Sequence, residues 1–373
     1  MALVLNAEQL MLKDSARDFL QSRAPVSHLR ELRDTHNQEG FSRELWSGMA
    51  EMGWPAILVP EQHGGLDYGF SGIGIVLEET GRTLTPSPLL STAMVGAAAL
   101  VKAGSAEQCA VILAGIAAGD HLLALACDES ARHAPHKLET RADEGGETYH
   151  ISGSKVGVID GHIADTFIVS ARTDNGISLF LVPATANGVG VEPYRVLDTH
   201  HAANVVFDRV EVGTQDLLGP LNGGIEILNY ILDVGRTGAS AELLGIAQEV
   251  FERTLEYLKE RKQFGVPIGS FQALQHRAAF LFGEIEMCKS LVIKTLHTLD
   301  EQADGDAELV SLTKCKLGAT AHLATTEAIQ MHGGIGMTDQ FDIGFFLKRC
   351  KILEGLYGDG YYHLDRFARQ RDY

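Results

Sequence analysis

The sequence predicts three domains in succession. An all-α N-terminal domain covers residues 1–120, an antiparallel β-barrel or sandwich covers 121–215, and a four-helix bundle covers 216–373. Three observations carry this. The first third places apolar residues at helical spacing. Between His121 and Gly213 the chain breaks into short runs rich in Val, Ile, Phe and Tyr, separated by turn residues. From Asn222 onward the apolar segments become long, with short links. A chain of 373 residues also exceeds what one small core needs.

In order along the chain, "NAEQLMLKDSARDFLQSRA" opens with Asn6 as an N-cap and carries Leu10, Leu12, Ala16, Phe19 and Leu20 on roughly one face. "SRELWSGMAEMGW" repeats that spacing and stops before Pro55. "PEQHGGLDYGFSG" is a Gly-rich turn region. "SGIGIVLEETGRTL", "LLSTAMVGAAALVKAG" and "AEQCAVILAGIAAGD" complete the helical part. The strands are expected in "HLLALAC", "ETYHISGSKVGVI", "ADTFIVSART", "ISLFLVPA", "GVEPYRVL" and "ANVVFDRVEV". Four long helices follow, near 223–262, 271–300, 307–331 and 340–371.

Composition narrows the function. A formal net charge of −18 argues against nucleic acid or an anionic membrane as partner, since both need basic patches. The five cysteines form no CxxC pair, so neither a zinc site nor a disulfide framework is expected, and a reducing cytoplasm fits. The first residues lack the basic-then-apolar pattern of a signal peptide, and no apolar run is long enough to span a bilayer.

"ERKQFGVPIGSFQALQHRAA" (Glu260–Ala279), "AIQMHGGIGM" (Ala328–Met337) and "MAEMGWPAILVPEQHGG" (Met49–Gly65) resemble the acyl-CoA dehydrogenase family, as does the domain order. The resemblance covers nearly the whole chain. It implies the family's fold, FAD as cofactor and an acyl-CoA thioester as substrate. It also implies that Arg261, Phe264, Gln272, Gln330, Gly333 and Gly334 reach across a dimer interface to the FAD of a neighbouring subunit. The residue types suit that task. A guanidinium offers a planar fork of donors for a pyrophosphate. Phe264 can pack on a ring system, the two glutamines can bond polar edges, and Gly333 and Gly334 let the backbone come close. Taken singly, Arg261 reads as a solvated helix-end cation, Phe264 as core and "HGGIGM" as a helix cap.

The same resemblance marks departures. Where the family carries T-E-P-x-x-G-S-D, this chain reads "ACDESARHAPHKLET": Glu129 matches, but Arg132, His133, Pro135 and His136 replace the turn. His133 and His136 are spaced like metal ligands, yet no acidic or Cys cluster accompanies them. Where the family carries K-x-W-I-T-N-G, the chain reads "KVGVIDG". Gly157 stands at the Trp that flanks the flavin, and Ile159 at the Thr that hydrogen-bonds it.

The family's chemistry needs a carboxylate against the substrate α carbon. In "ILEGLYGDG" the usual Glu station is Tyr357, and a phenol titrates near ~10, too high for a convenient base. The family's second station, in "LDVGRTG", is Gly235, although Asp233 and Arg236 match and imply substrate-side roles. Asp359 and Glu354 are the nearby substitutes; Glu354 would share a face with Tyr357 in a continuous helix. Residues serving a neighbour's FAD are thus kept, while those serving the chain's own flavin and substrate are lost. The expectation is a subunit of an α2β2 assembly that completes a homologous partner's site, with an electron-transfer flavoprotein as acceptor. The alternatives are a self-sufficient homodimer or tetramer with a displaced base, and a non-catalytic scaffold on the same fold.

Overall fold

The computed structural model describes residues 3–146, 148–302, 304–371 and 373. The first part is helical as expected: α1 (Ala7–Arg23), α2 (Val26–Asp34), α3 (Arg43–Glu51), α4 (Phe70–Thr83), α5 (Ala97–Ala103), α6 (Ala106–Gln108) and α7 (Ala114–Ala118). Asn6 caps α1 with a reciprocal pair: its side chain accepts from the Gln9 N–H, and the Gln9 side chain accepts from the Asn6 N–H. Pro55 does not simply end a helix. It starts a 3₁₀ turn over Trp54–Ala56, where its missing N–H costs nothing.

The strands are β1 (Leu123–Ala126), β2 (Arg141–Glu144), β3 (Thr148–Ile159), β4 (Thr166–Arg172), β5 (Ile177–Pro183), β6 (Val189–Arg195), β7 (His201–Gly213) and β8 (Leu217–Leu218). They form one sheet in the order β6-β7-β3-β2-β4-β5-β8, with β1 beside β4. The core on one side of this sheet is built from Tyr149, Ile151, Phe167, Phe180, Val205 and Phe207, with Phe167 and Phe207 edge to face at 6.3 Å. The sheet is not wholly antiparallel, because β1 pairs with β4 in parallel register. All four β1 residues are buried, as suits a strand covered on both faces. Strand β2 lies outside the expected set: it buries only Ala142, so its sequence carries no apolar alternation.

The C-terminal part holds α8 (Gly224–Glu260), a small hairpin of β9 (Lys262–Gln263) and β10 (Val266–Pro267), then α9 (Gln272–Glu301), α10 (Ala307–His332), α11 (Ile343–Gly355) and α12 (Gly360–Gln370). The expected fourth helix is therefore two. It breaks because Tyr357 and Gly358 have φ of 57° and 112°, outside helical space, and Asp359 then caps a new helix.

By packing, the chain divides into two compact units. One comprises Met1–Glu31, Gly74–Thr85 and Arg236–Tyr373; the other comprises Leu32–Ile73 and Pro86–Gly235. Within the first, residues 74–83 of α4 touch α8 backbone to backbone. A Cβ on Gly245 would lie 1.8 Å from the Glu78 carbonyl oxygen, and one on Gly81 2.1 Å from that of Glu242. No helix among the described residues is long and apolar enough to cross a membrane.

Candidate functional site

The residues implied to serve a neighbouring subunit are presented outward. Arg261 directly follows α8, and its carbonyl accepts from the Ile268 N–H at 2.8 Å, closing the base of the β9–β10 hairpin. The hairpin turn is two residues, Phe264 and Gly265, both with positive φ (54° and 81°), which is type I′ geometry. Asn-Gly usually takes such a turn; a phenylalanine in the left-handed region is strained. That strain points a phenyl ring at solvent, for Phe264 is 91% exposed, with the Phe271 ring edge-on at 6.1 Å. Gln272 opens α9 and is exposed.

Gln330 is exposed in the last turn of α10, and Gly333 ends that helix with φ of 65°. A Cβ added to Gly333 or Gly334 would meet nothing within 4 Å, so this backbone is open to close approach. Tyr257 joins the two groups of residues. Its ring stacks on His332 at 4.3 Å, and its hydroxyl donates to the His332 carbonyl at 3.3 Å. Arg261 lies one helical turn after Tyr257, and Gly333 directly follows His332. Both groups therefore occupy the same end of the bundle. An outward guanidinium, an outward aromatic ring, two amides and an uncluttered glycine backbone fit a pyrophosphate-bearing, ring-containing cofactor.

The base station is built differently. Tyr357 is buried in the α11–α12 break. Two buried cations hold this break by its backbone. Arg236, 1% exposed, donates from Nε to the Tyr357 carbonyl at 2.8 Å and from Nη2 to Tyr362 Oη at 3.2 Å. Lys314, also 1% exposed, donates from Nζ to the carbonyls of Glu354 at 2.9 Å and Gly358 at 3.2 Å. Desolvation, aided by the nearby Arg236 charge, lowers the Lys314 pKa to about 7.

The two acids beside the station have structural tasks. Asp359 is the N-cap of α12, accepting from the Tyr362 N–H at 2.8 Å. Glu354 pairs with Lys351 at 2.8 Å. It does not share a helical face with Tyr357, because α11 ends at Gly355. Asp359→Ala should therefore cost about 1 kcal/mol of stability, as a lost N-cap does, and Glu354→Gln less, as an exposed pair. Urea unfolding of both variants checks this. Asp233 and Gly235 are buried in the early turns of α8.

In the β domain, Glu129 is a clamp. Its carboxylate accepts from Lys155 Nζ at 2.8 Å, the Glu139 N–H at 2.6 Å and the Thr140 N–H at 3.1 Å. Burial works against its charge, but the ammonium and these N–H donors prevail and hold the carboxyl below its usual range. His133 pairs with Asp128 at 2.7 Å, and no cluster among the described residues has the makings of a metal site. Gly157 sits at a break in the β3–β7 register with φ of 66°, while the Val156 N–H donates to the Asp128 carbonyl at 2.8 Å. A tryptophan here would be strained by the backbone itself. Ile159 presents no donor. This face does not fit a flavin ring as the family holds it.

Three family models match in order: the acyl-CoA dehydrogenase N-terminal domain over residues 6–120, the middle domain over 125–210 and the C-terminal domain over 222–371. The chain belongs to the acyl-CoA dehydrogenase family. It is 30% identical to the short-chain specific acyl-CoA dehydrogenase of Clostridium acetobutylicum, over 94% of each chain. It is also 30% identical to an acyl-CoA dehydrogenase of Bacillus subtilis, over 93% of each. Among solved structures, the Tcur3481-Tcur3483 steroid ACAD superposes with a TM-score of 0.90 at 30% identity, covering 98% of both chains.

Within this acyl-CoA dehydrogenase family member, sequence reasoning missed Lys314, Tyr257 and His332. Lys314 lies in an ordinary amphipathic helix, and nothing local marks it as buried. Tyr257 and His332 are 75 residues apart, so only packing pairs them.

Proposed function

We propose that this chain is a subunit of an FAD-dependent acyl-CoA dehydrogenase that completes the FAD site of a homologous partner while its own substrate station is inert. One contrast carries the reading: the six outward residues at the bundle end are intact, and Tyr357 occupies the base station. Bound FAD would supply the acceptor for a hydride from the acyl β carbon. The chain's own part is to bind and orient. Arg261 neutralises the pyrophosphate, Phe264 covers a ring, Gln272 and Gln330 fix polar edges, and Gly333 and Gly334 admit close contact. The α-proton is taken by the partner's carboxylate, because Tyr357 is a phenol and Asp359 and Glu354 are engaged elsewhere.

Exposed Phe280, Phe282 and Met287 on α9 support a protein partner, since large apolar side chains on a lone surface favour association. The Tcur3481-Tcur3483 steroid ACAD carries two components in its name, which supports a heteromeric assembly and a steroid-like acyl group for this chain. An electron-transfer flavoprotein in the cytoplasm is the acceptor this reading expects. The test is purification of the chain alone and with its partner. The complex should be yellow and oxidise acyl-CoA. The chain alone should carry no stoichiometric flavin, and flavin-loaded homo-oligomers that turn over would overturn the reading.

A further inference from the structure

Tyr194 approaches Gly157 from two strands away. The sheet order β6-β7-β3 places β7 between them. Tyr194 is paired with Ala202, and Ala202 with Ile159, so Tyr194, Ala202 and Ile159 stand abreast across the three strands. Direct cross-strand partners point to the same face. The residue between, Ala202, is small and buried, which leaves a low path across β7. The phenol follows it: a Cβ placed on Gly157 would lie 3.8 Å from Tyr194 Oη and meet no other atom within 4 Å. The face that the family uses for its flavin ring thus has an aromatic ring of its own, rooted in β6 and ending where the missing tryptophan would begin. At 37% exposure Tyr194 stands half out of the sheet.

We propose that Tyr194 closes this chain's own flavin position by occupying the space over Gly157. This rests on the partner-completing reading and assigns the residue that enforces it. A ring cannot stack against position 157 while the phenol occupies the space beside it, because close-packed groups exclude one another.

The test uses the full chain alone, with FAD as probe, followed by quenching of flavin fluorescence and by induced visible circular dichroism. Tyr194→Ala should bind FAD at least tenfold more tightly than the wild type. Tyr194→Phe, which keeps the ring, should behave as the wild type. Tyr194→Ser serves as a second opening variant if the alanine form folds poorly. If both opening variants bind FAD no more tightly than the wild type, Tyr194 is not the closure, although the partner-completing reading stands. If they bind it more weakly, Tyr194 is a wall of a working site and the proposal fails. If the wild-type chain alone already holds stoichiometric FAD, both the closure and the partner-completing reading fall.

Discussion

Arg261→Ala in this chain should lower the FAD affinity of the assembled enzyme about 10- to 100-fold, the range expected for losing hydrogen bonds from a charged fork. The same substitution should leave the isolated chain as stable as the wild type. The reason lies in exposure: the Arg261 side chain faces solvent, and only its backbone takes part in the hairpin. Phe264→Ala should act the same way, since Phe264 stands 91% exposed on its turn. It should even ease the isolated chain slightly, because a smaller side chain tolerates the left-handed region better. Flavin retention after gel filtration, measured beside a thermal melt of the free chain, separates the two effects. A fall in the melting temperature matching the loss of flavin would assign these residues to folding and not to the cofactor.

Lys314→Met should be the most damaging single change to the isolated chain. It leaves the carbonyls of Glu354 and Gly358 buried without their donor. At about 1–3 kcal/mol for each unsatisfied group, the variant should be less stable by about 2–6 kcal/mol at pH 9. The deficit should depend on pH, with a definite sign. The folded state lowers the Lys314 pKa from 10.5 to about 7, so between those values the unfolded chain binds the extra proton. Stability from this group is fully present above the unfolded value and is lost as pH falls through about 7. The gap between wild type and Lys314→Met should therefore narrow as pH falls from 9 to about 7 and then level off, because only in that window does the unfolded chain bind a proton that the folded chain does not. Urea midpoints at several pH values measure it. A gap that stays constant would mean that Lys314 does not titrate in this range.

The two predictions concern different ends of the bundle, because Lys314 lies near the start of α10 and Gly333 at its end, and they differ in legibility. The outward residues were picked out by the resemblance of their motifs to the family's, and the structure added their exposure. Arg261, Phe264 and Gln272 lie within one short segment, and a Gly-Gly pair after a helix can only present backbone. The α11–α12 break was not readable as such. "ILEGLYGDG" has enough helical character to suggest one continuous helix, and nothing in it marks Asp359 as the cap of a new one. The parallel pairing of β1 with β4 was equally hidden, because strand direction is a property of the connection and not of the four residues Leu123–Ala126.

By itself the sequence determined the helical, β, helical order, the residues that match the family's motifs, and the absence of a carboxylate at positions 357 and 235. These depend on local periodicity and on residue identity, which neighbours in space cannot change. Only the tertiary structure decided how these stretches are built. It showed Arg236 and Lys314 donating hydrogen bonds to backbone carbonyls, Gly157 in a conformation that few side chains adopt, and Tyr194 Oη brought near it. Each of those joins residues far apart in the chain. Distance along the sequence carries no record of such contacts, whereas close packing creates them.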